Sequence, residues 1–312
     1  IIVFVVGYFR TGDSLLDNLM VAVSLAVAAI PEGLTAVVTI VLSIGMNRMA
    51  ERKAIVKSLV SVETLGATTA ICSDKTGTLT QNEMTITKIW TNEKEYEVEG
   101  SGYDPKGHIR LNDEKIEDEE NIKLLMKIST LCNDADLVLE NDQYKIIGDP
   151  TEGAMLTFSE KWGIVQEDLE KKHPRIEEIP FDSDRKMMTT FHNVEENYKA
   201  MTKGAPDIII SNSSKILLNG EIVDFTQDLK QKAMDENKNL AKQALRVMAY
   251  AFREFDSIKN EDLTSENIEK EMIFVGLTGM IDPPRPEAKK AVAECHSSGI
   301  DVLMITGDYL ET

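Results

Sequence analysis

The feature that most constrains the fold of this chain is a long apolar segment close to its beginning. Residues 14–47 carry only two charged side chains, Asp17 and Glu32. The segment is long enough to form a helix that crosses a lipid bilayer. The alternative is a buried helical hairpin of a soluble protein, broken at Pro31. We expect residues 1–50 to form a transmembrane part, with the end of one apolar helix followed by a spanning helix over 14–47 that is broken at Pro31.

Pro31 and Glu32 stand at the centre of this apolar segment. Proline lacks an N–H and crowds the preceding turn, so we expect the carbonyls of Val27, Ala28 and Ile30 to be released from the helix. Irregular backbone and a carboxylate are tolerated at membrane depth only where they face protein or a cavity. Together with Glu32, these carbonyls form a set of hard oxygen ligands of the kind that Ca²⁺ prefers. The pattern indicates an ion site.

Positive residues follow the apolar segment, at Arg48, Arg52, Lys53 and Lys57. Such a flank marks the cytoplasmic end of a spanning helix. We therefore expect an integral membrane protein, in the plasma membrane of a prokaryote or in an internal membrane, with residues from about 48 onward in the cytoplasm. The chain begins without Met, and its opening IIVFVVGYF lacks a positively charged leader. The sequence is interpreted as an excerpt from a longer polypeptide.

Charge and cysteine content restrict the partners. The net charge of −19 argues against binding of nucleic acid, which needs lysines and arginines to neutralise phosphates. The three cysteines, Cys72, Cys132 and Cys295, are far apart and show neither a disulfide framework nor the spacing of a thiolate metal site. We expect a reducing, cytosolic setting for the soluble part.

A short apolar run over residues 67–72 leads directly to Asp74 and a Lys-Thr-Gly-Thr sequence. A solvated turn is one interpretation, because Asp, Gly and Thr are ordinary turn residues. The other is a nucleophile at the carboxyl end of a buried strand, where open α/β sheets place their chemistry.

The end of the chain has the pattern of a βαβ unit. An apolar strand from Met272, a DPPR turn, a helix over 286–298 and a buried strand IDVLMI lead to Thr306, Gly307 and Asp308. We expect the turns after Asp74 and after this last strand to meet at one edge of a parallel sheet. Residues of about 83–282 would then be a domain inserted into that sheet, and the acidic run from Asn112 within it a solvated loop or a helix start.

Eight motifs occur in a fixed order: PEGLT at 31–35, SVETLG at 61–66, DKTGTLT at 74–80, GDPTEGA at 148–154, FDSDRK at 181–186, KGAPD at 203–207, DPPR at 282–285 and TGD at 306–308. On these motifs the chain resembles the P-type ATPases, and among them the Ca²⁺-transporting subgroup. The resemblance covers essentially the whole chain.

The resemblance implies an α/β fold: a HAD-like, Rossmann-like parallel-sheet phosphorylation domain, split by an inserted α+β nucleotide-binding domain and preceded by a transmembrane helix. The expected bounds are 51–82 and 283–312 for the two parts of the phosphorylation domain, the second truncated, and 83–282 for the nucleotide-binding domain.

The implied function is an ATP-driven cation pump that forms an aspartyl phosphate on Asp74. Asp74 and the carbonyl of Thr76 would hold Mg²⁺, and Thr306 with the Gly307 backbone would donate hydrogen bonds to the phosphoryl oxygens. Lys75 of DKTGTLT and Asp308 of TGD are also expected at the catalytic site. Related phosphatases carry a general acid at the position of Thr76, and Thr does not titrate at neutral pH, so the acyl phosphate should persist.

The resemblance also implies a nucleotide site. Phe181 would stack on adenine, Glu152 and Lys203 would line its pocket with Met188 nearby, and Lys186 and Arg246 would neutralise phosphates. Gly204 of KGAPD and Arg285 of DPPR are also expected at the nucleotide site. Ser183 stands where many Ca²⁺ pumps have Arg, which weakens the expected grip on the phosphates.

Soft-metal pumps of this superfamily place cysteines beside the membrane proline, and this chain has Ile30 and Glu32 there, which argues against a soft metal. VAAIPEGL at 27–34 closely resembles the Ca²⁺ subgroup, so the resemblance favours Ca²⁺ as the transported ion. Thr35 replaces the Pro often found after PEGL, and pumps for Na⁺, K⁺ or H⁺ remain alternatives.

Two other classes stay open, a soluble HAD-type phosphatase and a catalytically silent ATP-binding module. The actuator domain, later phosphate-binding motifs and other transmembrane helices would come from the rest of the same polypeptide. We expect these residues alone to bind nucleotide without turnover.

Overall fold

The computed structural model of the 312-residue chain describes residues 1–10, 14–30, 32–194, 197–255 and 263–307. It divides into two compact units. The first contains Ile1–Ile71 and Ser297–Asp301, and the second contains Cys72–His296 and the residues from Val302 onward.

Helices form most of the first unit: α1 (Ile2–Arg10), α2 (Leu15–Ala28), α3 (Glu32–Glu51) and α4 (Leu59–Gly66). The hydroxyl of Ser14 caps α2 by accepting the N–H of Asp17 at 3.2 Å. The predicted break at the central proline is confirmed, since α2 ends three residues before Pro31 and α3 begins directly after it. Pro31 itself lies outside the described residues.

The stretch Leu15–Glu51 is long and apolar enough to cross a membrane by length and composition. Its most apolar part is not buried within the structure. The residues described here therefore give no cover of the kind that a buried soluble hairpin would need.

The expected nucleophile, Asp74, is the last residue of one strand of a two-stranded sheet. β1 (Ala70–Asp74) pairs with β15 (Asp301–Ile305) in a two-stranded sheet. The N–H of Asp301 donates to the carbonyl of Thr69 at 2.9 Å, so both strands begin at the same level and run in the same direction. Both strands were predicted, but their predicted burial is wrong. Most of their residues are exposed, because a sheet of two strands has too few neighbours to cover its faces.

The predicted helix over 286–298 is present as α11 (Ala288–Ser297). Ala288, Val292 and Cys295 are partly buried, as expected of its apolar stripe, whereas Ala291 is exposed.

A sheet of eleven strands dominates the second unit. Nine strands follow the order β5-β4-β3-β2-β14-β13-β10-β9-β8, and β11 pairs with β14 and β12. Their bounds are β2 (Thr85–Thr91), β3 (Lys94–Val98), β4 (Ile109–Leu111), β5 (Glu114–Ile116), β8 (Arg175–Asp182), β9 (Met187–Val194), β10 (Asn197–Gly204), β11 (Ser213–Leu218), β12 (Glu221–Asp224), β13 (Arg246–Phe255) and β14 (Met272–Ile281). A separate hairpin consists of β6 (Asp136–Glu140) and β7 (Gln143–Ile147).

The predicted βαβ unit is wrong. β14 was expected to lie in the same parallel sheet as β15, but it lies at the centre of the large sheet between antiparallel β2 and β13. The reason is that an apolar run without alternation indicates a strand buried on both faces and does not tell which sheet it joins. The acidic run from Asn112 is also more ordered than predicted, because it contains a hairpin turn, β5 and the approach to α5.

Helices cover both faces of the large sheet: α5 (Glu120–Leu131), α6 (Pro150–Glu160), α7 (Gln166–Lys172), α8 (Pro206–Asn212), α9 (Gln227–Lys242) and α10 (Ser265–Ile268). Alternate residues of β13 show the two faces. Tyr250 and Phe252 join a core with α5 and α6, whereas Ala249 and Ala251 join a core with α8 and α9.

The chain enters and leaves the large sheet through two neighbouring segments. The N–H of Gln81 donates to the carbonyl of Pro283 at 3.0 Å, and the N–H of Arg285 donates to the carbonyl of Leu79 at 2.8 Å. These bonds lie beside the expected boundaries of the inserted domain, at 82 and 283. The paired segments, residues 79–81 and 283–285, are called the stem below.

Candidate functional site

A tight turn at Lys75–Leu79 follows Asp74 at the end of β1. Gly77 has φ +74°, a conformation that a residue with a side chain rarely adopts. The Gly77 N–H donates to the hydroxyl of Thr80 at 3.2 Å. Asp74 is exposed and stands at the carboxyl end of β1, and Thr306 and Gly307 follow β15, its parallel neighbour. The structure thus brings Asp74 and Thr306 to one sheet edge, while Asp308 lies outside the described residues.

The DPPR sequence holds this turn. The Thr80 hydroxyl lies 2.5 Å from Oδ2 of Asp282, whose Oδ1 accepts the N–H of Glu83 at 3.2 Å. Arg285, expected at the nucleotide, donates to the carbonyl of Gly77 at 3.1 Å. Burial and the charge of Asp282 raise the pKa of Glu83. The hydrogen bond from the Tyr103 N–H and the charge of Arg285 oppose this shift but do not cancel it. Asp282 was not among the predicted site residues, although its motif was.

Strand register places most of the predicted nucleotide residues at one end of the large sheet. Gly204 pairs with Ala249, three residues after Arg246, and Arg246 pairs with Met280, close to the stem. On the other side Gly204 pairs with Met187, the first residue of β9. The strand ends that carry the predicted residues therefore lie at the same edge as the stem.

A cleft of about 1030 Å³ opens at this edge of the second unit. It is lined by Lys75 and Thr76 from the turn after Asp74, by Asp149 and Thr151 from the start of α6, and by Arg246 from β13. One cavity thus joins the turn beside the expected nucleophile to a residue predicted to neutralise phosphate.

The start of α6 contributes two residues that the sequence analysis missed. Asp149 caps the helix by accepting the N–H of Thr151 at 2.8 Å, and the Thr151 hydroxyl accepts a hydrogen bond from Arg246 at 2.9 Å. Burial opposes ionisation of Asp149, but hydrogen bonds from Thr151 and the Glu152 N–H, with the charge of Arg246, outweigh it and lower its pKa. The Asp-Pro pair in GDPTEGA is a signal for a capped helix start that could have identified them.

Glu152, Lys203 and Met188 form a buried cluster. Glu152 accepts from Nζ of Lys203 at 2.5 Å, with only 16% and 7% of the two side chains exposed. Met188 pairs with Lys203 across β9 and β10, and its carbonyl accepts from the thiol of Cys132 at 3.4 Å. Burial raises the pKa of that thiol against the opposing charge of Lys203. A buried lysine held by one carboxylate in this way is a fixed hydrogen-bond donor.

Phe181 and Lys186 lie at the connection between β8 and β9. Phe181 is 64% exposed, and Lys186 is exposed with φ +55°. Neither lines the large cleft, so the structure does not bring them together with Lys75 and Thr76. Their neighbour Arg185 is instead tied to the buried carboxylate of Glu269 at 2.5 Å.

Gly204 ends β10 where backbone segments approach closely. A Cβ at this position would collide with the carbonyl oxygen of Lys186 and with Met187. That carbonyl accepts the N–H of Ala205 at 2.9 Å. Glycine is required here by the close approach, which fixes the strand end beside Lys203.

The predicted cation ligands lie at the end of α2. The Val27 carbonyl accepts the N–H of Ile30 at 3.0 Å, a three-residue turn bond instead of the bond that Pro31 cannot donate. The Val27 carbonyl is therefore only partly released. Ala28 ends α2, Ile30 is 60% exposed, and the side chain of Glu32 lies outside the described residues.

Comparison with known proteins identifies the class. The family model described as "P-type ATPase, cytoplasmic domain N" matches residues 121–287. This match covers more than half of the chain, and the chain belongs to the P-type ATPases.

Curated relatives narrow the comparison. The chain is 44% identical over 315 residues to "Calcium-transporting ATPase" of Bacillus subtilis (strain 168), which covers 100% of this chain and 35% of that protein. It is 43% identical to "Calcium-transporting ATPase 1" of Bacillus cereus (strain ATCC 10987 / NRS 248), over 100% of this chain and 33% of the relative. It is 42% identical to "Cation-transporting ATPase pma1" of Synechocystis sp. (strain ATCC 27184 / PCC 6803 / Kazusa), over 99% of this chain and 34% of the relative. The chain spans about a third of the length of these relatives.

Proposed function

We propose that this chain is the central part of an ATP-driven cation pump, most consistent with Ca²⁺ transport, that forms an aspartyl phosphate on Asp74. The observation that carries the proposal is the cleft that joins Lys75 and Thr76, next to Asp74, with Arg246 and Thr151 of the large sheet. Family membership and relatives named as calcium-transporting ATPases support a pump over a soluble phosphatase.

In the proposed reaction a carboxylate oxygen of Asp74 attacks the γ-phosphorus of ATP. The bond to the β–γ bridging oxygen breaks, and ADP leaves with the electron pair. Arg246 lines the cleft and would neutralise phosphate charge. Thr306 and the Gly307 backbone follow β15, the neighbour of the strand that ends at Asp74, and would donate to the transferred group. Lys75 supplies a second positive charge in the cleft. Thr76 cannot act as a general acid, so the acyl phosphate would persist.

The donor chemistry beside Asp74 suits Mg²⁺, because the Asp74 carboxylate and the Thr76 carbonyl are hard oxygen ligands on an exposed turn. When bound, Mg²⁺ supplies charge neutralisation for the phosphates. The residues of the chain orient the nucleophile and hold the turn through Thr80 and Arg285.

The adenine end of the nucleotide is proposed to contact the cluster of Glu152, Met188, Lys203 and Gly204, with Phe181 stacking on the base and Lys186 near the phosphates. The 64% exposure of Phe181, a large aromatic side chain, supports this role. Residues 83–282 are proposed as the nucleotide-binding domain, and residues 51–82 with 283–312 as parts of a HAD-like phosphorylation domain.

The apolar stretch Leu15–Glu51 is proposed to span a lipid bilayer, with the residues after it in the cytoplasm. Its uncovered apolar surface supports this placement. The cation would bind near the interruption between α2 and α3, through carbonyls around Val27, Ala28 and Ile30 together with Glu32.

The test is phosphorylation of the membrane-bound protein with ATP labelled at the γ-phosphate, with Ca²⁺ supplied or chelated. Asp74→Asn removes the nucleophile, and Asp136→Asn, an exposed carboxylate on β6, is the matched control. A hydroxylamine-sensitive label that needs both Ca²⁺ and Asp74 is expected. A label independent of Ca²⁺ points to another cation, and absence of label from the unmodified protein overturns the pump.

A further inference from the structure

Arg175, at the start of β8, holds a turn that no proposed site residue occupies. Its Nη1 donates to Oδ1 of Asp134 and to Oε2 of Glu178, each at 2.6 Å. Its Nη2 donates to the carbonyls of Leu131, at 3.3 Å, and Asn133. Residues 131–135, which begin at the last residue of α5, are called the Asn133 turn below.

The Asn133 turn contacts Glu152 in two ways. The buried amide of Asn133 donates to the carbonyl of Ser129 at 3.1 Å and to the carbonyl of Glu152 at 3.0 Å. The backbone N–H of Asp134 donates to Oε2 of Glu152 at 3.2 Å. The turn therefore fixes both the backbone and the carboxylate of Glu152.

The remaining oxygen of Glu152, Oε1, accepts from Lys203. One continuous series of hydrogen bonds thus runs from Arg175 through the Asn133 turn and Glu152 to Lys203. Arg175 also neutralises Asp134, whose backbone touches the Glu152 carboxylate. Without that guanidinium, the Asn133 carbonyl loses its arginine donor, the Leu131 carbonyl keeps the Thr190 hydroxyl, and the Asp134 carboxylate next to Glu152 loses its cation.

We propose that Arg175 is a positioning residue for nucleotide binding, acting through the Asn133 turn on the orientation of Glu152 and Lys203. The proposal rests on the proposed nucleotide site. Arg175 itself need not touch ATP, because its contribution is to hold in place the residues that do.

The test measures the equilibrium Kd for ATP in the full-length protein on an Asp74→Asn background, which cannot be phosphorylated. Arg175→Met is expected to raise Kd about tenfold, in the range of one lost hydrogen bond to a charged group. Arg175→Lys should recover part of the affinity, because a lysine can still pair with Asp134 but cannot also serve both carbonyls.

Arg253 provides a matched control. It also donates to two backbone carbonyls, of Asn267 and Lys270, and pairs with a carboxylate, on Glu271. Its side chain is 24% exposed, against 28% for Arg175. Arg253→Met should lower thermal stability by a similar amount while leaving the Kd for ATP unchanged.

A double variant decides whether Arg175 acts through Glu152. If it does, Arg175→Met combined with Glu152→Gln should bind ATP as weakly as Glu152→Gln alone, whereas independent effects would add. Additive losses, or an equal loss in Arg253→Met, overturn the positioning role. If Glu152→Gln and Lys203→Met weaken binding and neither Arg175 variant does, only this inference fails. If Glu152→Gln and Lys203→Met leave Kd unchanged, the nucleotide site itself is wrong, and the inference falls with it.

Discussion

The Thr80 hydroxyl lies 2.5 Å from the carboxylate of Asp282, although the two residues are 202 positions apart in the sequence. The bond closes the stem and joins the turn after Asp74 to the large sheet. Because Asp282 also accepts the N–H of Glu83, its carboxylate is held by two donors of the segment that enters the large sheet.

Thr80→Val should destabilise the second unit, since it keeps the side-chain shape and removes the donor to a charged acceptor. We expect the free energy of unfolding to fall by about 1–3 kcal/mol. Urea unfolding followed by tryptophan fluorescence measures it, because Trp90 and Trp162 both lie in this unit. Thr157→Val is the control, since that hydroxyl donates to Gly153 within its own helix. Equal losses in the two variants would contradict a special role for the stem bond.

Lys203→Met should lower the free energy of unfolding more than Thr80→Val does, because it leaves the largely buried carboxylate of Glu152 without its ion partner. Breaking one side of a buried pair costs about 3–5 kcal/mol. Lys171→Met, which breaks an exposed helix pair with Glu167, should leave the urea midpoint unchanged. The double variant Glu152→Gln with Lys203→Met should recover part of the loss. A single variant as stable as the unmodified protein would show that the pair is not held as described.

Gly204→Ala should weaken ATP binding and lower stability together. The added Cβ meets the Lys186 carbonyl oxygen, a backbone atom that cannot move aside as a flexible side chain would. The Kd for ATP and the thermal midpoint are the measurements. Gly66→Ala is the control, because a Cβ at Gly66 meets nothing within 4 Å. If Gly204→Ala is as well tolerated as Gly66→Ala, the close approach at the end of β10 is not rigid.

The stability of the second unit should fall as the pH is lowered from about 6.5 to about 4, with a contribution from His192. Burial lowers the pKa of His192 from 6.5 to about 4, against the opposing effect of its hydrogen bond to the carbonyl of His173. Between these values the unfolded chain binds a proton that the folded chain does not, so the free energy of unfolding decreases as pH falls. The full effect is of order 3 kcal/mol and is constant outside that window.

Unfolding of His192→Gln over the same pH range measures this contribution by difference. The variant should show a shallower fall in stability between pH 6.5 and pH 4 than the unmodified protein. His108→Gln, at an exposed histidine of the same unit, controls for the substitution itself. Parallel curves for the unmodified protein and His192→Gln would contradict the assignment.

Local patterns predicted the elements better than their partners. The apolar segment, the proline break and the strand before Asp74 are signals carried by consecutive residues, and each appears where expected. The partner of β14 depends on strands that are far away in the sequence, so its apolar run could not show that it joins β2 and β13. The exposure of β1 and β15 likewise depends on which neighbours are present.

The candidate site shows the same division. Motifs identified Glu152 and Lys203, and the family resemblance added Arg246. The structure places the three residues at the start of α6 and on two adjacent strands of the large sheet. The roles of Asp282 and Thr151 come from hydrogen bonds that link distant segments, to Thr80 and Arg246, and no sequence spacing encodes those pairings. The adenine and cation ligand sets stay predictions.

The stem has a consequence for how such a chain can be assembled. Its two segments are hydrogen-bonded neighbours, so the ends of everything between Gln81 and Pro283 lie about one strand spacing, roughly 4.8 Å, apart. A turn of about two residues spans such a gap. The residues between Gln81 and Pro283 therefore form an insertion whose two ends nearly meet. Residues can be added to or removed from this insertion without moving the segments that carry Asp74 and Arg285.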